Sequence, residues 1–296
     1  AKRAIKHAII KHRPIFIWGA PGIGKSDIVR QIGKELDREI IDIRLTLCSD
    51  ASDLRGIPYH NKTLNVMSWM PPVDLPSDPN STAIILLDEL NSAPLDIQCA
   101  AYQLTLDRKI GTYVLPKGVD IVAAGNRECD NGVTNIMPSP LANRFIHLEM
   151  KHDYADWEEW AIENNIHPDV IGYLGAYKGD LYTFSPNSSD TSFATPRSWF
   201  AVSELLDDED VVDYDTLHNL ISGAIGDGLA IKFMAHRTIA TRLPKPDEIL
   251  DGLVTDLEIK ELSAMYSLVI ALCYELKLRQ NKIERSEEHT SELQSH

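Results

Sequence analysis

Cationic side chains are in short supply. Lys and Arg total 29 against 44 Asp and Glu, a formal net charge of −15 over 296 residues. A field of that sign repels a phosphate backbone, so a nucleic-acid binder working through bulk electrostatics is disfavoured. Cysteine is sparse as well: Cys48, Cys99, Cys129 and Cys273 are widely spaced, and none belongs to a C-x-x-C pair. That spacing suits neither a zinc site nor a disulfide framework, and it leads us to expect a reducing, cytoplasmic setting. Long apolar runs are missing. The longest, around Met265–Cys273, falls far short of the ~20 residues that cross a bilayer; it reads as a buried helix, and no membrane association is expected. Neither a signal-peptide pattern nor an internal repeat is visible, and Asn61-Lys62 is followed by Thr-Leu rather than by the x-Asp of a guanine-reading element.

What is present is ordinary for a folded chain, with 44% hydrophobic and 25% charged residues, enough to build one large core or two modest ones. The first half alternates apolar runs with helical stretches. Strands are expected at Ile15–Trp18, Ile40–Leu45, Ala83–Asp88, Val119–Gly125 and Phe145–Met150, with helices over Lys25–Asp37 and Leu95–Asp107. Runs apolar throughout suit strands covered on both faces, so the pattern predicts a parallel sheet in a three-layer α/β core spanning residues 1–150. Two inserts interrupt it. Gly56–Pro76 carries four prolines with Tyr59, Trp69 and Met70, which read as covering the insert's own small core, a grip on a partner being the other reading. Arg108–Gly118 reads as a hairpin closing near Pro116-Lys117-Gly118.

After Met150 the periodicity becomes helical. Tyr154–Asn165, Asp169–Lys178, Arg197–Leu206, Thr216–His236, Pro246–Leu253 and Leu257–Arg279 predict an all-α second domain over residues 151–284. The last twelve residues, Arg285–His296, match one reading frame of a widely used sequencing-adapter oligonucleotide and are read as a non-native tail without function.

The chemistry-bearing residues are concentrated at strand ends. Gly19-Ala20-Pro21-Gly22-Ile23-Gly24-Lys25-Ser26 fits G-x-x-x-x-G-K-[ST] between an expected strand and an expected helix. Glycines let main-chain N–H groups converge on phosphate oxygens, and the helix N-terminus adds partial positive charge. In that pattern Lys25 reaches the β- and γ-phosphates and the Ser26 hydroxyl ligates Mg²⁺. Ile84–Leu87 is an apolar run ending in Asp88-Glu89. Asp88 there can hold Mg²⁺ and Glu89 can act as general base, the plain alternative being a polar turn after a strand. Asn126, after another apolar run, is either a turn residue or an amide that positions attacking water. Arg144 is either a surface residue at a helix end or a cation reaching a neighbouring subunit's nucleotide. Arg197, behind Thr195-Pro196, is either a solvated helix-start residue or a cation facing the γ-phosphate.

Taken together, GAPGIGKS, ILLDELN, AAGN, PLANRF and ATPRSW resemble the AAA+ ATPases, and most closely their MoxR-like group, over nearly all of residues 1–206. The resemblance implies an αβα nucleotide-binding core with a helical lid. It further implies ATP and Mg²⁺ as cofactors and a homo-oligomeric, commonly hexameric ring that hydrolyses ATP at its subunit interfaces. Gly19–Ser26 would be Walker A, Asp88–Glu89 Walker B, Asn126 the first sensor, Arg144 an arginine finger acting in trans, and Arg197 the second sensor. Chaperone-like remodelling of a protein partner, often one with a von Willebrand factor A domain, is what such a family implies. The chain departs from that group at Ser92, Arg127 and Asn143, where Arg, Pro and Asp are frequent, and Arg127 is a rival to Arg144 for an interface role. An ATP-gated binding module without turnover and a DNA-dependent motor are the competing readings.

Overall fold

The structure, a computed structural model, describes residues 1–130, 137, 139–186, 188, 190–207, 212–240, 243–254, 256, 264–273, 275–277 and 279–280. The tail Arg285–His296 lies outside them, as do residues 257–263, 274 and 278 of the helix expected over Leu257–Arg279. Two compact units are present, Ala1–Lys151 and His152–His296.

In the first unit α1 (Lys2–Ile10) leads into β1 (Ile15–Trp18), followed by α2 (Lys25–Glu35), β2 (Ile40–Arg44) and α3 (Ser52–Arg55). A hairpin of β3 (Ile57–Asn61) and β4 (Val66–Met70) precedes β5 (Ile84–Asp88) and α4 (Leu95–Asp107). A second, very short hairpin, β6 (Lys109–Ile110) and β7 (Tyr113–Val114), precedes β8 (Asp120–Gly125), α5 (Ser139–Ala142) and β9 (Ile146–Glu149). The main sheet has the order β2-β5-β8-β1-β9, every neighbouring pair parallel.

Side-chain alternation along the strands builds two separate cores, one on each face. Ile85, Leu87, Ile121 and Ala123 point to the face covered by Ile97, Ala100, Ala101 and Leu104 of α4. Ile84, Leu86, Val122 and Ala124 point to the opposite face, where Ile5 and Ile9 of α1 and Val29 and Ile32 of α2 close it. All five residues of β5 and all six of β8 are buried, which is why their sequences are apolar at every position rather than at alternate ones. The three-layer α/β core expected from the sequence is therefore the one the chain forms, followed by a helical C-terminal region.

Register brings the strand ends together. Trp18 lies opposite both Gly125 and Glu149, and Arg44 lies opposite Asp88. Five loops consequently leave one edge of the sheet side by side. The chain goes from β1 towards the β2 edge and finishes at β9 on the other side of β1, so the carboxyl end of β1 is a switch point, where open α/β sheets form a ligand crevice.

Two readings of the inserts need correction. The 56–76 segment holds a hairpin with no core of its own: no residue of β3 or β4 is fully buried, and Tyr59 and Met70 are 41% and 60% exposed. Trp69 instead leans on the second hairpin. Its main-chain N–H and C=O pair with Thr112 Oγ1 at 3.3 and 2.8 Å, and the Arg55 guanidinium lies over its ring. That second hairpin turns at Gly111-Thr112, not at Pro116-Lys117-Gly118. Arg108, in a left-handed conformation, donates to the carbonyls of Pro116 and Val119 and ties that later segment down as the lead into β8.

The second unit contains α6 (Tyr154–Glu163), α7 (Pro168–Ala176), α8 (Pro196–Asp207), α9 (Tyr214–Ile225), α10 (Asp227–Ala240) and α11 (Pro246–Leu250). Its core gathers Tyr173, Trp199 and Phe233, each fully buried, with Val170, Ile171, Val202 and Ile221. Residues 264–273 are also helical. The single helix expected over Thr216–His236 is two. Gly226 adopts φ +91° between α9 and α10, a left-handed stop that glycine tolerates at little steric cost.

Candidate functional site

The 19–26 segment joins the carboxyl end of β1 to the first turn of α2. Gly22 and Gly24 have φ of 75° and 87°, a region open to glycine without a Cβ clash. These two reversals bend the main chain into a concave loop before α2 starts at Lys25. Ala20 and Ile23 are buried and fix the loop from below, and Gly19 N–H donates to the Gly125 carbonyl at 3.2 Å. The first turn of any α-helix leaves its N–H groups without intrahelical acceptors, and the helix dipole places partial positive charge there.

Lys25 closes this loop onto the neighbouring strand. Its ammonium donates to the carbonyls of Gly19 and Ala20 at 2.8 and 2.9 Å and to Asn126 Oδ1 at 2.9 Å. One residue on, the Ser26 hydroxyl donates to Asp88 Oδ2 at 2.6 Å, with both side chains nearly sealed from solvent. Asp88 ends β5 and also accepts from the Glu89 main-chain N–H at 3.0 Å. Glu89 itself has φ +57°, uncommon for a residue with a Cβ. That left-handed turn separates its carboxylate from that of Asp88. The Glu89 carboxylate is held instead by the Thr46 hydroxyl, which donates to Oε2 from the segment following β2.

Asn126 is the first residue beyond β8. Its side chain meets Lys25, and its main-chain carbonyl accepts from Asn91 Nδ2 at 2.7 Å. Next to it, Arg127 grips Asp130 with two parallel bonds of 3.0 Å and reaches Glu149 Oε1 at 3.0 Å. These hydrogen bonds, those from Asp130 first, push its guanidinium further above the usual range. Arg127 is thus engaged within its own chain, which weakens its claim as a group reaching across an interface.

Of the residues singled out in the sequence, the structure gathers Gly19–Ser26, Asp88, Glu89 and Asn126 at one edge of the sheet. Arg144 is exposed in the turn between α5 and β9 of the same unit, and Arg197 is exposed at the second position of α8 in the other unit. Thr46 and Asn91 were missed. Asn91 was visible at the end of ILLDELN, whereas Thr46, between two leucines past a strand, carried no signal.

The donor set fits a polyphosphate with a hard divalent cation. The fit rests on a lysine at the mouth of a concave glycine loop and an oxygen pair, Ser26 Oγ and Asp88 Oδ2, at 2.6 Å. Among the described residues no group of three or more His, Cys, Asp and Glu is placed to hold a metal by itself. Among the described residues, too, no helix is long and apolar enough to cross a membrane.

No protein-family model matches the chain. It is 28% identical over 186 residues to midasin of Giardia intestinalis, covering 58% of this chain and 4% of that one. It is 25% identical over 174 residues to the Lon protease of Campylobacter jejuni, covering 56% of this chain and 21% of that one. The chain thus spans a small part of the curated relatives it matches. Among solved structures, it is similar to NtrX of Brucella abortus in complex with ADP, at 15% identity, TM-score 0.49, and coverage of 97% and 67%. It is similar to a RuvB mutant of Thermotoga maritima at 14% identity, TM-score 0.45, and coverage of 90% and 85%.

Proposed function

We propose that this chain binds Mg·ATP at the carboxyl edge of its sheet and hydrolyses it, as a MoxR-like member of the AAA+ ATPases. The observation that carries the reading is the junction of α2 with β5 and β8: Lys25 on Asn126 and Ser26 on Asp88, within two consecutive residues. In it, Gly19–Ser26 cradle the phosphates with main-chain N–H groups, and Lys25 exchanges its present carbonyl partners for phosphate oxygens. Ser26 and Asp88 would hold the Mg²⁺, which would supply charge neutralisation to the polyphosphate when bound.

Glu89 is the group that takes a proton from water, at its carboxylate oxygens, while the Asn126 amide orients that water without adding charge. Thr46 caps the Glu89 carboxylate through one oxygen, and turning it towards water requires that bond to be exchanged. Arg144, exposed and cationic, offsets transition-state charge on a neighbouring copy's nucleotide, and Arg197, on the helical unit, serves as the second sensor, a cation facing the γ-phosphate. Residues 1–150 then form the nucleotide-binding core and residues 151–284 the lid.

The finer reading is a cytoplasmic homo-oligomeric ring, hexameric by resemblance, that remodels a protein partner, with a von Willebrand factor A domain protein as the partner class. The test is calorimetry with Mg·ATP together with steady-state turnover of the purified chain and of its Glu89→Gln variant. Binding by both with turnover by the wild type alone supports an ATPase. Equal, negligible turnover leaves an ATP-gated module, and no heat at all overturns the site. Turnover raised by DNA and lost steeply with salt would favour the DNA-dependent motor.

A further inference from the structure

The Asn91 side chain is only 1% exposed, yet it lies in the short turn Leu90–Ser92 directly after Glu89. Its Nδ2 donates to the main-chain carbonyl of Asn126 at 2.7 Å. Its Oδ1 is buried and has no hydrogen-bond partner. A buried amide left half satisfied is uncommon, because such groups are normally paired. The fit around it is equally tight. A Cβ placed on Gly125 would stand 2.1 Å from Asn91 Oδ1 and 2.9 Å from Asn91 Cγ, so the amide lies flat against the last residue of β8 in space that only glycine leaves open.

These observations connect three strand ends. Asn91 hangs from the turn that carries Glu89, and it grips the main chain of Asn126, whose side chain in turn meets Lys25. We propose that Asn91 is a positioning residue: it locks the tip of β8 to the Glu89 turn so that the Asn126 amide and the Glu89 carboxylate are set as one unit. The proposal rests on the ATPase reading of this site. Asn91 does not touch the reacting atoms. It acts through Asn126, and glycine at position 125 is the counterpart that lets it reach.

The isosteric Asn91→Asp variant removes the donor and sets a carboxylate oxygen against the Asn126 carbonyl. Asn91→Leu removes the polar group while keeping approximate volume, and Gly125→Ala displaces the amide without altering it, though its Cβ would also stand 2.7 Å from Phe16 Cζ in the core. For each, three quantities are measured: the Kd of Mg·ATP by calorimetry, kcat and KM in steady state, and the Asn126 side-chain amide resonances in the nucleotide-free chain. Positioning predicts that kcat falls about 10- to 100-fold, the penalty typical of a misplaced catalytic constellation. Kd stays near wild type and the Asn126 resonances shift even without nucleotide, while the melting temperature falls most in Asn91→Asp, which buries a carboxylate, so kcat is compared among variants folded at the assay temperature.

Unchanged kcat in any folded variant would overturn the proposal. So would parallel losses of kcat, ATP affinity and melting temperature in every variant, since Asn91 would then be part of the general framework only. If Asn91→Asp does not fold, Asn91→Leu reads the loss of the same bond without burying a charge. A wild-type chain that neither binds nor turns over Mg·ATP removes the underlying reading instead, an outcome separable from a turning-over wild type with an equally active Asn91 variant.

Discussion

The Lys25 ammonium lies 2.9 Å from Asn126 Oδ1, joining the first residue of α2 to the first residue beyond β8 across 101 positions of sequence. The same ammonium is within hydrogen-bond reach of the Gly19 and Ala20 carbonyls. These three acceptors are neutral oxygens. A phosphate oxygen adds a full negative charge to the same hydrogen-bond geometry, and two opposite charges in a weakly screened site attract more strongly than a charge and a dipole, so these oxygens are ones that a nucleotide can displace.

Replacing Lys25 with Ala removes that cation and opens the loop it closes. Hydrogen bonds involving a charged group contribute about 1.5–3 kcal/mol each. The affinity for Mg·ATP is expected to fall by a factor on the order of 10² or more. Calorimetry on the folded variant checks this, and retained micromolar affinity would contradict the phosphate-loop assignment.

Glu89 and Thr46 make a sharper pair of tests, because one carries the proposed chemistry and the other only holds it. Glu89→Gln keeps shape but cannot take up a proton, so turnover should drop by about 10²- to 10⁴-fold with binding intact. Thr46→Val keeps volume and loses only the hydroxyl. If Thr46 orients the carboxylate, turnover changes by about 10-fold, the scale of one hydrogen bond to a charged group, again without loss of affinity. A Thr46→Val chain whose kcat, KM and Kd all match wild type would remove Thr46 from the account.

How much of this was readable beforehand follows from how local each signal is. Gly19–Ser26 is contiguous, so its meaning survives without any tertiary information. β5 and β8 were legible because burial on both faces makes every residue apolar. Thr46 was not, since its partner Glu89 lies 43 positions away and nothing in a lone Thr announces such a contact; Asn91 stood at the end of ILLDELN, but its contact with Asn126, 35 positions on, carried no local signal. The hairpin of β3 and β4 escaped because both its faces are largely exposed, which removes the alternation that marks a half-buried strand. The break at Gly226 was hidden for another reason. Apolar spacing continues on either side of it, and only the positive φ distinguishes a helix stop from a tolerated glycine.

Arg127 and Arg144 can be separated by stability rather than by activity. Asp130 is 6% exposed and accepts both bonds of the Arg127 fork. Arg127→Ala leaves that carboxylate buried without its cation and should destabilise the unit by about 1–3 kcal/mol, lowering the melting temperature by several degrees. Arg144 is exposed, and a surface substitution away from such features ordinarily stays within about 0.5 kcal/mol. Differential scanning calorimetry of both variants decides the point: a melting temperature unchanged in Arg127→Ala would return it to contention as an interface cation.

For Arg144 the decisive measurement is mixing. Acting on a neighbour's nucleotide, an arginine finger contributes a factor of about 10³ or more to turnover, so Arg144→Ala should lose that factor while its ATP affinity stays intact. Glu89→Gln chains are impaired at their own site but keep Arg144. In an assembly containing both variants, some interfaces pair an intact Glu89 with an Arg144 supplied by the neighbour, and those should hydrolyse ATP although neither parent does. Activity plotted against the mixing ratio should pass through a maximum near equal proportions. A flat line at every ratio, with co-assembly verified by light scattering, would mean that Arg144 does not act in trans.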